Sequence, residues 1–227
     1  MEGGKVRLSR RSSGYLAYVL GVEAGFFLLV ALFTVAYRHA PYLPVAQLRR
    51  DILAGPESGL LTSGNPLEVM VGIYLRNVTW LGVLTVLLYL ATHLRRAVAQ
   101  LLSLVLFAAA AVLLFVTNTV LGGMVLAAQS QAHHVAWWAI YAAGVLPHGV
   151  LEIFALAVPL AALPYLGALW GAGGGLLDSL PRVWRDAGPW PLRAFGVLAL
   201  AAVTETFITP LLLSLVLPLP RHFLGGG

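Results

Sequence analysis

The sequence predicts an all-α fold, a polytopic membrane helical bundle of five transmembrane helices (alternatively six), on three observations. Hydrophobic residues make up 59% of the 227 and charged residues 10%, against about a quarter charged in a soluble chain, and mean hydropathy is +0.87. The apolar residues are gathered into runs long enough to cross a bilayer, which takes roughly 20 residues at 1.5 Å rise each. All but Arg76 of the 14 Lys and Arg sit between or at the ends of those runs, mostly in short clusters. Clusters so placed read as topology signals and lipid-headgroup contacts rather than as a nucleic-acid surface. Cysteine is absent, which excludes a disulfide framework, a thiolate metal site, a cysteine nucleophile and dithiol redox chemistry.

Residues 1–14 form a basic N-terminus with Lys5, Arg7, Arg10 and Arg11, and the apolar run from Tyr15 to about Tyr37 follows directly. That run exceeds the apolar core of a signal peptide, about 7–15 residues, and predicts an uncleaved first span. Residues 38–69 form the longest polar connection, with turn formers at Pro41, Pro44, Gly55-Pro56, Gly59 and Asn65-Pro66 and a short interfacial helix over Val45 to Leu53. The second span runs from about Met70 to Thr92 and the third from about Val98 to Ala128, where Gly122-Gly123 permits close helix approach. Val135 to Trp170 is longer than one crossing and holds Pro147, Pro159 and Pro164. Pro147 lacks the N–H that would bond the Ala143 carbonyl and disfavours helix at Leu146. The expectation is a short interfacial helix, a break at Pro147 and Gly149, then a span from about His148 to Trp170. Gly171 to Gly175 reads as a hinge, Leu176 to Pro191 as an interfacial amphipathic segment and Arg193 to Leu217 as the last span, with a short tail over 219–227. Residues 15–218 thus make a single transmembrane domain.

Nine Lys and Arg fall on the N-terminal side of a five-span chain and four on the other. The positive-inside rule then puts the N-terminus in the cytoplasm of a multi-pass cell-membrane protein, with the 38–69 loop outside. Two crossings within Val135–Trp170 would give six spans, but Val135 to Leu146 is too short to span alone.

Inside the spans stand groups that lipid rejects: Glu23, Arg76, Asn77, Asn118, His148, Glu152 and Glu205. A charge at mid-bilayer costs about 2.5–3.5 kcal/mol on insertion scales, so each must face the bundle interior, a partner or water. His148 and Glu152 are four residues apart and share a helix face, and Arg76 pairing with Glu152 or Glu205 is one geometry open to them. Each residue also has a plainer role: snorkelling for Arg76, interhelical hydrogen bonding for Asn77 and Asn118, a protonated structural carboxyl for Glu23, close packing for Gly149 and the Gly122-Gly123 pair. For His148 and Glu152 the plainer role is a network satisfying backbone groups released by Pro147.

No complete catalytic motif is present. A His-Glu-x-x-His metalloprotease helix, a Gly-x-Ser-x-Gly elbow, a Walker motif and a dinucleotide fingerprint are all missing. The reading is of a non-enzymatic chain with no catalytic residues, no metal and no cofactor.

Pro147-His148-Gly149-Val150-Leu151-Glu152, with Asn77 early in one span, Asn118 before Leu121-Gly122 in the next and Glu205-Thr206-Phe207-Ile208-Thr209-Pro210 in the last, resembles the stage II sporulation protein M family of integral membrane proteins. The resemblance covers about Tyr15 to Pro218; the Pro-His-Gly-x-x-Glu and Glu-x-Phe-Ile-Thr-Pro runs are its most specific parts. It implies a helical membrane scaffold that recruits peptidoglycan hydrolases during sporulation engulfment or envelope remodelling. The implied partners are membrane or cell-wall enzymes, stage II sporulation proteins D and P by resemblance, alongside the lipid bilayer. No nucleic acid is expected, and homo-oligomerisation is left open. The alternative is a transporter or permease-like subunit in which His148, Glu152, Glu205, Arg76 and Asn118 line a polar cavity.

Overall fold

A computed structural model describes residues 3–39 and 66–217, with side chains from Gly14 onward except Ala132. The expected interfacial helix at Val45–Leu53, the N-terminal basic side chains and the 219–227 tail lie outside what is described. The described chain is helical throughout, with no strand: α1 Gly3–His39, α2 Pro66–His93, α3 Ala97–His133, α4 Trp137–Ile140, a π-helical turn Tyr141–Val145, α5 Leu146–Leu160, α6 Ala162–Gly171, α7 Leu176–Ala187, α8 Trp190–Val203, a second π-helical turn Thr204–Ile208 and α9 Thr209–Val216. Five stretches are long and apolar enough to cross a membrane: Gly14–His39, Pro66–His93, Ala97–Gln131, Trp137–Gly171 and Trp190–Val216. The protein is a multi-pass membrane helical protein. Leu28, Leu32, Leu113 and Leu215 stand exposed on these helices, as residues facing lipid must.

Pro147 does not break the fourth span. Trp137–Gly171 is one 35-residue stretch, so the expected separate interfacial helix and the break at Pro147 and Gly149 are corrected. A proline inside an α-helix loses one backbone bond and presses its ring on the carbonyl four residues back. The π-helical turn before it removes the clash by widening the helix: the Leu146 N–H bonds the Tyr141 carbonyl, five residues back. The last span repeats the device before Pro210, where the Thr209 N–H bonds the Thr204 carbonyl.

The chain divides into two compact units, one of Met1–Phe26, Leu75–Val116 and Glu152–Leu198, the other of Phe27–Tyr74, Thr117–Leu151 and Ala199–Gly227. In the first, buried Tyr15 donates its O–H to the Val158 carbonyl at 2.6 Å and meets Tyr165 edge to face at 5.3 Å. Leu81, Leu84, Leu88, Leu180 and Leu198 fill its core. The amphipathic segment expected from Leu176 onward is α7, which buries Leu180, Val183 and Ala187. In the left-handed backbone at Gly173, φ +91°, glycine avoids the steric cost other residues meet.

In the second unit α1 and α3 approach closely at Gly123, where an added Cβ would lie 2.5 Å from the Phe33 Cβ and 3.0 Å from the Thr34 nitrogen. The Tyr141 O–H reaches the Phe27 carbonyl at 3.3 Å, and the rings of these two residues meet edge to face at 6.2 Å. Leu126, Ala127 and Ile140 are buried in the same unit.

Candidate functional site

Pro147 and Pro210 each follow a π-helical turn, and the polar residues lie in or next to these turns. His148 sits in the first turn of α5, directly after Pro147. Its Nδ1 lies 3.0 Å from the hydroxyl of Thr209, a residue that is itself buried. Either the hydroxyl donates to a neutral ring or Nδ1–H donates to the hydroxyl; both orient the second ring nitrogen elsewhere. Glu205 lies in the π-helical turn of the last span, and one of its carboxylate oxygens comes within 4.8 Å of a His148 ring nitrogen. Glu152, one turn along α5 from His148, is half-buried and begins the stretch of that helix that belongs to the first unit. The backbone permits the approach of His148 and Glu205 because small residues line it. Gly144 leaves room for Leu213, whose Cδ2 would stand 2.9 Å from an added Cβ, and Gly149 leaves room for the Phe27 ring at 3.6 Å.

His148 and Glu205 are thus brought together within the second unit. Arg76 is exposed on α2, as a snorkelling residue is. Asn118 is exposed on α3 while its neighbour Thr119 is buried. Asn77 and Glu23 are buried, both within the first unit. Thr209 is the site residue that sequence reasoning missed. Its signal was its spacing, four residues after Glu205, the same interval that joins His148 to Glu152. Thr206, also in that turn, has its hydroxyl buried without a hydrogen-bond partner among the described residues.

An imidazole, a carboxyl and a hydroxyl drawn together inside an apolar span offer donors and acceptors that can hold a proton or a cation.

The fold and site define a multi-pass membrane protein with a polar core between two π-bulged helices. Compared with protein-family models, with curated proteins and with solved structures, the chain matches none.

Proposed function

We propose that this chain is a permease-like subunit of the cell membrane, N-terminus cytoplasmic, in which His148 and Glu205 take up a proton or a cation during transport. The observation that supports this reading is the convergence of His148, Glu205 and Thr209 at two proline-flanked π-helical turns. Ionisable residues in spans mark ion and proton pathways, and distorted helices at membrane depth occur where they line a site. The test is flux into proteoliposomes carrying a pH-sensitive dye, with and without an imposed gradient. Wild-type protein dissipates the gradient, and His148→Ala and Glu205→Gln slow it to the rate of empty liposomes. Equal rates for wild type, both variants and empty liposomes would sink the reading.

A second reading is favoured by a separate observation. The two runs that carry the resemblance to stage II sporulation protein M meet at the His148–Thr209 contact. Under this reading the chain is a non-enzymatic scaffold that recruits peptidoglycan hydrolases, and the polar core holds its helices in register. Affinity purification from native membranes then recovers cell-wall enzymes, and His148→Ala reduces their recovery only as far as it reduces protein stability. Recovery of a transport ATPase in their place returns the assignment to the first reading.

A further inference from the structure

The first unit holds a second polar feature, separate from the core described above. A cavity of about 440 Å³ opens between α6 and α7, lined by Tyr165, Leu169, Arg182, Arg185 and Asp186. That volume lies within the range of small-ligand sites, about 300–1,000 Å³. Its chemistry is set by how Asp186 is used. The carboxylate is buried; its Oδ2 accepts the Tyr165 hydroxyl at 2.7 Å, and its Oδ1 faces the Arg185 Nε at 3.7 Å. Those two contacts occupy the negative charge inside the wall and hold Arg185 by its Nε, which leaves its two terminal nitrogens for a ligand. Arg182 adds a second guanidinium and stands exposed. Two cations against one engaged carboxylate make the cavity electropositive, and guanidinium groups bind phosphate oxygens in paired hydrogen bonds.

The surroundings say where such a phosphate comes from. α7, with 12 residues, is too short to cross, and it has Leu180 and Val183 buried on one face and Arg182 and Arg185 exposed on the other. Trp184 on the same helix meets Tyr89 and His93, at the end of α2, edge to face at 5.4 and 5.5 Å. Trp170, at the end of α6, is exposed. Tryptophan and tyrosine gather at the level of the headgroups, and basic pockets at span ends take anionic lipid headgroups.

We propose that the cavity between α6 and α7 is a phosphate site, filled by the headgroup of an anionic phospholipid through Arg182 and Arg185. Neither function reading above is needed for it. The test uses full-length protein in nanodiscs of phosphatidylcholine, with and without phosphatidylglycerol or cardiolipin, and retained lipid is read by native mass spectrometry. A parallel arm in phosphatidylcholine adds inorganic phosphate and reads thermal stability. Wild-type protein retains anionic lipid selectively, and Arg182→Gln lowers its occupancy about tenfold, the size of one lost charge-assisted hydrogen bond, while Arg182→Lys recovers part of it. Arg182 has no part in the Asp186 contacts, so its loss does not disturb the wall; Arg185→Gln is read beside it for the same direction. Stabilisation by inorganic phosphate that Arg182→Gln abolishes, without selective lipid retention, assigns the site to a free anion. Equal lipid retention by wild type and Arg182→Gln, with no response to phosphate, overturns the proposal.

Discussion

Thr209 governs what His148 can do. A buried hydroxyl 3.0 Å from Nδ1 fixes the ring's orientation. Within membranes such contacts are worth about 0.6 kcal/mol on average and about 1.7 at most. Thr209→Val keeps the side chain's shape and removes the hydroxyl. A double-mutant cycle with His148→Ala, read by thermal unfolding in detergent, should give a coupling of roughly that size; additive losses would show that the pair contributes nothing. The glycines make a sharper set. At Gly123 an added methyl meets Phe33 Cβ and backbone at 2.5–3.1 Å, at Gly122 only the Val30 methyls at 3.5 Å. Gly123→Ala should therefore cost about 1–3 kcal/mol, the usual range for overpacking, and Gly122→Ala close to nothing. Equal melting temperatures for the two variants would count against the close approach of α1 and α3. At this scale the ionisable groups were legible because each is conspicuous inside an apolar run. Arg76 has a stem long enough to carry its charge to a surface from inside a span, and it stands exposed. Neighbours on a helix differ by about 100° in direction, so Asn118 is exposed where Thr119 is buried.

The spans were legible as elements for a simple reason: lipid demands length and apolarity, and both are written in composition. The π-helical turns were not legible. A one-residue widening changes neither the length nor the hydropathy of a run, so Pro147 reads equally as a break or as a bulge. The backbone decides by where the preceding N–H groups find partners, and at both prolines they find them five residues back. This ties each bulge to its proline. Deleting Ala142, an exposed residue in the first π-helical turn, returns the turn to α-helical spacing while leaving the flanking helix faces in phase. With Pro147 present the shortened helix meets the proline clash, and the variant should lose about 3 kcal/mol. With Pro147→Ala in the same chain the deletion should be tolerated, since nothing then requires the wider turn. Thermal stability of the deletion, the substitution and the combination checks this. A deletion equally harmful in both backgrounds would show that the bulge serves something other than the proline. The pairing of the two proline runs was likewise hidden, because the contact between His148 and Thr209 joins residues 61 apart in sequence.

For the whole molecule, five candidate spans predict by simple alternation that the connections after the second and the fourth share one side of the membrane. The structure supplies one further constraint on that arrangement. Tyr15 near the start of the first span meets Tyr165 near the end of the fourth, and Tyr89 near the end of the second meets Trp184 just beyond the fourth. The start of the first span and the ends of the second and fourth therefore lie together in the first unit, as simple alternation requires of them. With nine Lys and Arg counted to that side in sequence and four to the other, the positive-inside rule makes it the expected cytoplasmic side. The absence of native cysteine allows a direct check. Single cysteines at Arg95 and at Gly173, in the connections after the second and fourth spans, should react with a membrane-impermeant maleimide only after the cytoplasmic face is opened. A cysteine at His134, the positive-φ residue in the turn after the third span, should react in intact cells. Labelling of all three from one side would break the alternation, and labelling of the set with the two faces exchanged would keep the five spans while reversing the orientation drawn from charge.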